Sequence, residues 1–117
     1  MPMLSKASIL AVKDFTYKDI EIPEWGGSVR VRGLSAAERD KFEMEAGVNN
    51  DLVNMRARFI TTCIIDENGE SLFSQKEATK IGEKNASVVN RIFDVVRDLS
   101  GMGDADLEAA DVKSESQ

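Results

Sequence analysis

Polar and apolar positions change period along this chain. From Tyr17 to Ile22 they alternate, with Ile20 and Ile22 on one side and Asp19 and Glu21 on the other, and Ser28 to Arg32 alternates again. A period of two is that of a half-buried strand. Between the runs lies Pro23-Glu24-Trp25-Gly26-Gly27, a turn sequence: proline cannot donate to a ladder and glycine accepts positive φ. The two runs are therefore expected to close as a β-hairpin. Its polar face would set Asp19 and Glu21 near Arg30 and Arg32, a favourable cross-strand pairing. Ahead of it, residues 5–13 read as a short leading helix.

After Leu34 the period becomes helical. Ser35-Ala-Ala-Glu38 is a capping box, in which the serine accepts from the third helical N–H and the glutamate reaches back. A helix over about 36–46 follows, kept largely wet by Glu38, Arg39, Lys41 and Glu45. Asn49-Asn50-Asp51 breaks it and caps the next. Residues 52–65 place Leu52, Met55, Phe59, Ile60, Cys63 and Ile64 on one broad stripe, the pattern of a core helix. Asp66-Glu67-Asn68-Gly69 is a turn, and Leu72-Phe73 is expected to fold back onto the core. A second capping box, Ser74-Gln-Lys-Glu77, opens a short helix ending near Ile81-Gly82. Residues 86–99 carry Val88, Val89, Ile92, Phe93, Val96 and Leu99, the second core helix, closed by Gly101-Met-Gly103. The fold class this implies is mainly α: a small helical domain, residues 1–103, with an N-terminal β-hairpin. An acidic segment, residues 104–117, is expected to be disordered and mobile.

Length and charge narrow the picture. The chain has 117 residues, enough for one domain. Its net charge of −6 is uneven, because residues from Gly101 onward carry five acids against Lys113 alone. That balance disfavours phosphate backbones and anionic membranes, whose affinity rises with exposed lysine and arginine. Arg30 with Arg32, and Arg56 with Arg58, lack aromatic interleaving and a wider basic field, so they read as solvated faces or ion-pair partners. Neither a nucleic acid nor a membrane is expected as partner. No apolar run reaches the roughly 20 residues of a membrane span. Lys6, Lys13 and Asp14 bracket too short an apolar stretch for a signal peptide. A single cysteine excludes an internal disulfide, which fits a reducing compartment. A cytoplasmic protein is expected.

The chemical inventory is sparse. There is no histidine, which removes Ser-His-Asp and Cys-His nucleophiles and imidazole acid–base catalysis. Cys63 lies on an apolar stripe, where a thiol behaves as a small hydrophobe. Residues Asp66, Asn68, Glu70 and Glu77 fall at positions 1, 3, 5 and 12 of a calcium loop, but the sixth position, which needs glycine, holds Ser71. A turn followed by a capping box explains the same residues. No catalytic, cofactor-binding or metal-binding residue is assigned, and an enzyme is not expected. Trp25, the single tryptophan, sits at the hairpin tip, where a large ring is costly to leave in water. Either it folds onto the core or it awaits a partner. Met44 and Met102 are the methionines expected to be exposed. Trp25 and Met44 are thus the candidate partner-binding residues.

Two stretches carry more than generic patterning. Residues 22–43, Ile-Pro-Glu-Trp-Gly-Gly-Ser-Val-Arg-Val-Arg-Gly-Leu-Ser-Ala-Ala-Glu-Arg-Asp-Lys-Phe-Glu, resemble the N-terminal signature of tail assembly chaperones from long non-contractile-tailed, lambda-like phages. Residues 54–73, with Arg56-Ala-Arg58 leading into Ile65-Asp-Glu-Asn-Gly-Glu-Ser-Leu-Phe73, and then Val89 to Leu99, are similar to the same family, especially its HK97-type members. The resemblance spans residues 15–103. It implies a protein that solubilises the tape measure protein, self-associates, promotes tail tube polymerisation and leaves before the virion matures. It also implies a longer form, made by translational frameshift, that contacts the tail tube protein. The host cell cytoplasm would be its place of action. The alternatives are a tail completion or connector component retained in the virion, and a small nucleic-acid-binding regulator, which the acidic balance disfavours.

Overall fold

The two alternating runs pair as an antiparallel hairpin. In the computed structural model, which describes residues 1–47 and 54–102, strand β1 (Tyr17–Ile22) lies against β2 (Gly27–Arg32). Ile20 and Ile22 are buried on one face of β1, with Val31 beneath β2. The hairpin's turn is one short 3₁₀ turn, Pro23–Trp25, closed by Gly26 at φ 77°. Gly26 donates its N–H to the Pro23 carbonyl at 3.0 Å, a left-handed geometry suited to glycine. Ahead of the hairpin, α1 (Lys6–Ala11) is capped by Ser5, whose hydroxyl accepts from the Ser8 N–H. No residue of α1 is buried.

The expected face-to-face charge pairing holds for half of its members. Asp19 stands opposite Arg30 and receives both Nε–H and Nη2–H, at 2.7 and 3.1 Å. Arg32, however, faces Tyr17, and Glu21 faces Ser28. With no acid opposite it, Arg32 turns toward the following helix and forms a bidentate pair with Glu38 at 2.9 and 3.0 Å. That glutamate is the capping-box residue of α2 (Ala36–Gly47): it also accepts the Ser35 N–H at 2.8 Å, while the Ser35 hydroxyl accepts the Glu38 N–H. One carboxylate therefore caps the helix and holds it to the sheet. Phe42 is the one buried residue of α2, its ring centroid 5.1 Å from that of Phe59 and tilted 38° to it.

Helix α3 (Met55–Cys63) departs from the sequence expectation at its C-terminal end. Ile64-Ile65, expected as its last turn, instead forms β3 and pairs antiparallel with β2, Ile65 opposite Arg30 and Ile64 opposite Val31. Two successive β-branched residues lose χ1 freedom in a helix and pack well on a pleated surface, and β2 offers an open edge. A narrow return follows: Asp66 Oδ1 accepts the N–H groups of Asn68 and Glu70, and Leu72 N–H donates to Ile64 O. The predicted turn is thus present. Of the pair expected to fold back, Phe73 packs against the core and Leu72 stays exposed.

Ser74 and Glu77 form their capping box and lead through one 3₁₀ turn into α4 (Ala78–Gly82). Helix α5 (Ala86–Leu99), capped by Asn85, buries Val88, Val89, Ile92, Phe93 and Val96, with Leu99 partly buried. Phe93 meets Phe59 edge-on at 5.0 Å. Gly101, at φ 73°, ends the helix. Met102, expected to be exposed, packs instead against the core, because its N–H turns back to the Arg97 carbonyl at 3.0 Å. The predicted break at Asn49-Asn50-Asp51, the stripe residue Leu52, Gly103 and the acidic segment 104–117 lie outside the described residues.

The hairpin and α5 meet most closely at Gly33. A Cβ there would lie 2.5 Å from the Leu99 carbonyl oxygen and 2.8 Å from its carbon. Beside it, Leu34 N–H donates to Ser100 Oγ at 2.8 Å, and that hydroxyl donates to Val96 O at 2.7 Å. Gly33→Ala is expected to cost about 1–3 kcal/mol, as overpacking against backbone does. Gly27→Ala, with nothing within 4 Å of the added carbon, should stay within about 0.5 kcal/mol. Urea denaturation of both variants checks the contrast.

Candidate functional site

The hairpin tip is tied down through a charged residue next to the tryptophan. Glu24 receives Nη1–H and Nη2–H of Arg91, on α5, at 3.0 and 2.6 Å. Those bonds, followed by one from the backbone, pull the Glu24 carboxyl down to about 2. The 3₁₀ turn then throws Trp25 sideways, over a groove of about 540 Å³ that it lines with Phe73, Glu77, Lys80, Ile81 and Lys84. The residue remains 37% exposed. Trp25 is thus neither folded fully onto the core nor left wholly in solvent.

Met44 lies elsewhere. It is 58% exposed and stands two positions from Phe42, the residue by which α2 enters the core. Two positions on a helix are about 200° apart, so Met44 points away from the body. The two candidate residues therefore do not converge on one hollow. What links α2 to the Trp25 groove is Phe73, which also lines a second hollow of about 240 Å³ with Glu38, Lys41, Phe42, Thr62, Ser71 and Gln75.

The remaining sequence candidates take structural parts. Cys63 is fully buried, and burial pushes its thiol up to about 12, so it is no nucleophile at neutral pH. Asp66 and Glu77, the ends of the calcium-loop spacing, accept backbone N–H groups within their own turns. Among the described residues no group of three or more histidine, cysteine, aspartate or glutamate side chains could hold a metal. Arg30 and Arg32 pair with Asp19 and Glu38, Arg58 pairs with Glu45 at 2.9 Å, and Arg56 lies 5.6 Å over the Phe93 ring. The arginines are joints of the fold.

Comparison with known proteins places the whole chain rather than any one surface. The family model for phage tail assembly chaperones matches residues 4–115. The chain belongs to the phage tail assembly chaperone family. A solved structure of the bacteriophage HK97 tail assembly chaperone has a similar fold, with a TM-score of 0.62 at 21% identity, covering 84% of this chain and 95% of that one. A comparison with curated protein sequences gave no match.

Several large apolar side chains lie on the surface of the described residues. Beyond Trp25 and Met44, the N-terminal arm exposes Met3, Leu4, Ile9, Leu10, Val12 and Phe15. Sequence reasoning missed this arm as a surface: its helix was legible, but whether anything covers it depends on where the chain goes next. It also missed Phe73, Lys80, Ile81 and Lys84 as neighbours of Trp25. The short apolar spacing of Phe73 and Ile81 around a capping box was the available signal, without indicating the hairpin above it. Among the described residues no helix is long and apolar enough to cross a membrane.

The Glu24–Arg91 pair gives a direct check of the tip. A carboxylate lowered in the folded state adds stability above its unfolded value, and the benefit fades as pH falls through the folded one. For Glu24 that window runs from the ordinary 4.5 down to about 2. An NMR titration should find Glu24 protonating near the bottom of this window. In Arg91→Ala it should return to the ordinary carboxylate range, with a red shift of Trp25 emission as the tip loosens.

Proposed function

We propose that this chaperone binds the tape measure protein in the host cell cytoplasm, keeps it soluble, and promotes tail tube polymerisation around it without remaining in the mature virion. The observation that carries the reading is the set of large apolar side chains left on the surface of an otherwise well-packed small domain. Trp25 over its groove, Met44 on the outer face of α2 and the leucine- and isoleucine-bearing arm are all exposed. A long helical protein presents apolar stripes that aggregate when uncovered. Grooves with aromatic walls and flexible methionines suit such stripes. Trp25 and Met44 are the proposed contact residues, on separate faces, so one copy would touch its partner at more than one place.

Self-association belongs to the same proposal. Many copies along an extended partner would turn weak sites into a strong sum. The contact with the tail tube protein is assigned to a longer, frameshifted form, which leaves the present chain to cover the tape measure. The acidic segment 104–117 is read as a unit apart from the domain, adding negative charge that favours solubility.

Co-expression with the tape measure protein tests the reading. The partner should be soluble with this chaperone and aggregate without it. Trp25→Ala combined with Met44→Asp should return most of it to the pellet while the variant itself stays soluble. A tape measure protein that is equally insoluble with and without the chaperone would overturn the proposal. So would finding this chain at stoichiometric levels in purified virions, which is the outcome for a tail completion or connector component.

A further inference from the structure

The N-terminal arm carries the side chains of an interface without covering them on its own domain. Every residue from Met1 to Asp19 is exposed, those of α1 included. A six-residue helix is too short to be stable alone in water, so α1 needs a surface that covers it. Positions 6, 9 and 10 share one helical face, which sets Lys6 beside Ile9 and Leu10. The root of the arm is fixed, with the Arg32 guanidinium 4.8 Å over the Phe15 ring. Charge selects what the rest can meet. Among the described residues neither Lys6 nor Lys13 forms an ion pair, so the arm presents two uncommitted cations around its aliphatic side chains.

The Trp25 groove repels such an arm, because Lys80 and Lys84 line it. The sheet offers the opposite charge. Asp19, Arg30 and Ile65 form a row across β1, β2 and β3, on the face turned away from buried Ile20 and Val31. Together with Asp66, Glu67 and Leu72 they line a hollow of about 310 Å³. Three acids stand there against one base, and that base, Arg30, is already held by Asp19. Glu67 and Glu21 form no ion pair among the described residues, and Glu21 stands opposite Ser28, which also lines the hollow. Leu72 is 53% exposed and gives the hollow an aliphatic edge. A cationic, aliphatic helix complements it in both charge and polarity. Within one copy the arm stays clear of this site, since none of residues 1–15 lines it.

We propose that α1 of one copy docks in the sheet hollow of a second copy of this chain. Ile9 and Leu10 cover Leu72, and Lys6 and Lys13 lie along Glu21 and Glu67. A single short helix falls short of the roughly 800 Å² per partner of a standard interface, and exposed ion pairs are weak and salt-sensitive. One such contact is therefore weak. Each copy offers both an arm and a hollow, so the contacts form reciprocally in a pair or in succession along a row. The inference rests on the self-association proposed above and supplies its surfaces.

Sedimentation of the full chain over a range of concentrations tests this, and charge reversal on each side makes the test specific. The wild type should associate at low salt, and less so at about 0.5 M, where the screening length is a few ångströms. Lys6→Glu with Lys13→Glu in one protein, and Glu21→Lys with Glu67→Lys in another, should each weaken association roughly tenfold or more, because attractions become repulsions. All four residues are exposed, so both proteins should unfold in urea as the wild type does. Mixed in equal amounts, the two should form heterocomplexes, since each arm then meets a hollow of opposite charge. Leu10→Asn, which leaves the charge unchanged, should weaken association at every salt concentration. A wild type that stays monomeric up to about 1 mM, a very weak affinity, would overturn both this inference and the self-association on which it rests. Reversed proteins that associate as the wild type does, or that fail to bind each other, would overturn this inference alone, because copies would then meet through another face. The co-expression test of tape measure binding is unaffected by any of these results.

Discussion

The hairpin has one apolar face, and the rest of the fold exists to cover it. A two-stranded ribbon alone in water is marginal at best, so Ile20, Ile22 and Val31 need a surface to lie on. Helices α3 and α5 provide it, meeting through Phe59 and Phe93 and filling the space beneath the strands with Ile60, Cys63, Val88, Ile92 and Val96. The closeness of that packing is set at Gly33, where the strand leaves the sheet against the carbonyl of Leu99. With hairpin and α5 locked together at that end, the Glu24–Arg91 pair joins them near the other. Trp25 is consequently held at a defined place above α4.

Charge attaches the parts that hydrophobic burial does not. Helix α2 buries Phe42 and no other residue, too little to hold twelve residues in place. Arg32–Glu38 near its start and Arg58–Glu45 near its end supply the remaining fixings. Both pairs are largely shielded from solvent, where geometry and hydrogen bonding count for more than in exposed pairs. Glu38 shows the economy available to a small domain, since one carboxylate closes a capping box and anchors the helix to β2. The exposed outer side of α2, including Met44, follows from this mode of attachment.

The protein's one thiol is sealed in the core, and the Glu24 carboxylate, pulled down to about 2, is bound to an arginine at the hairpin tip. The groove beneath Trp25, the outward face of α2 and the arm at α1 are uncovered apolar features on a domain with a well-filled interior. Membership of the phage tail assembly chaperone family is consistent with that distribution.

The residues by themselves determined whatever depends on near neighbours in the chain. The alternation of Ile20 and Ile22, the boxes Ser35–Glu38 and Ser74–Glu77 and the stripe from Val88 to Val96 each involve residues a few positions apart, and each element formed as its pattern indicates. The lack of histidine likewise excluded whole classes of catalysis before any fold was known. Tertiary structure decided the rest. Ile64-Ile65 reads as helix until β2 presents an open edge, and Arg32 reads as a partner for β1 until the register places Tyr17 opposite it. The groove joins residues 25, 73 and 81, which come together only when the hairpin folds over α4. Periodicity and capping are local and survive in a sequence pattern; register, edge pairing and the walls of a groove are set by contacts between distant segments, which no local pattern encodes.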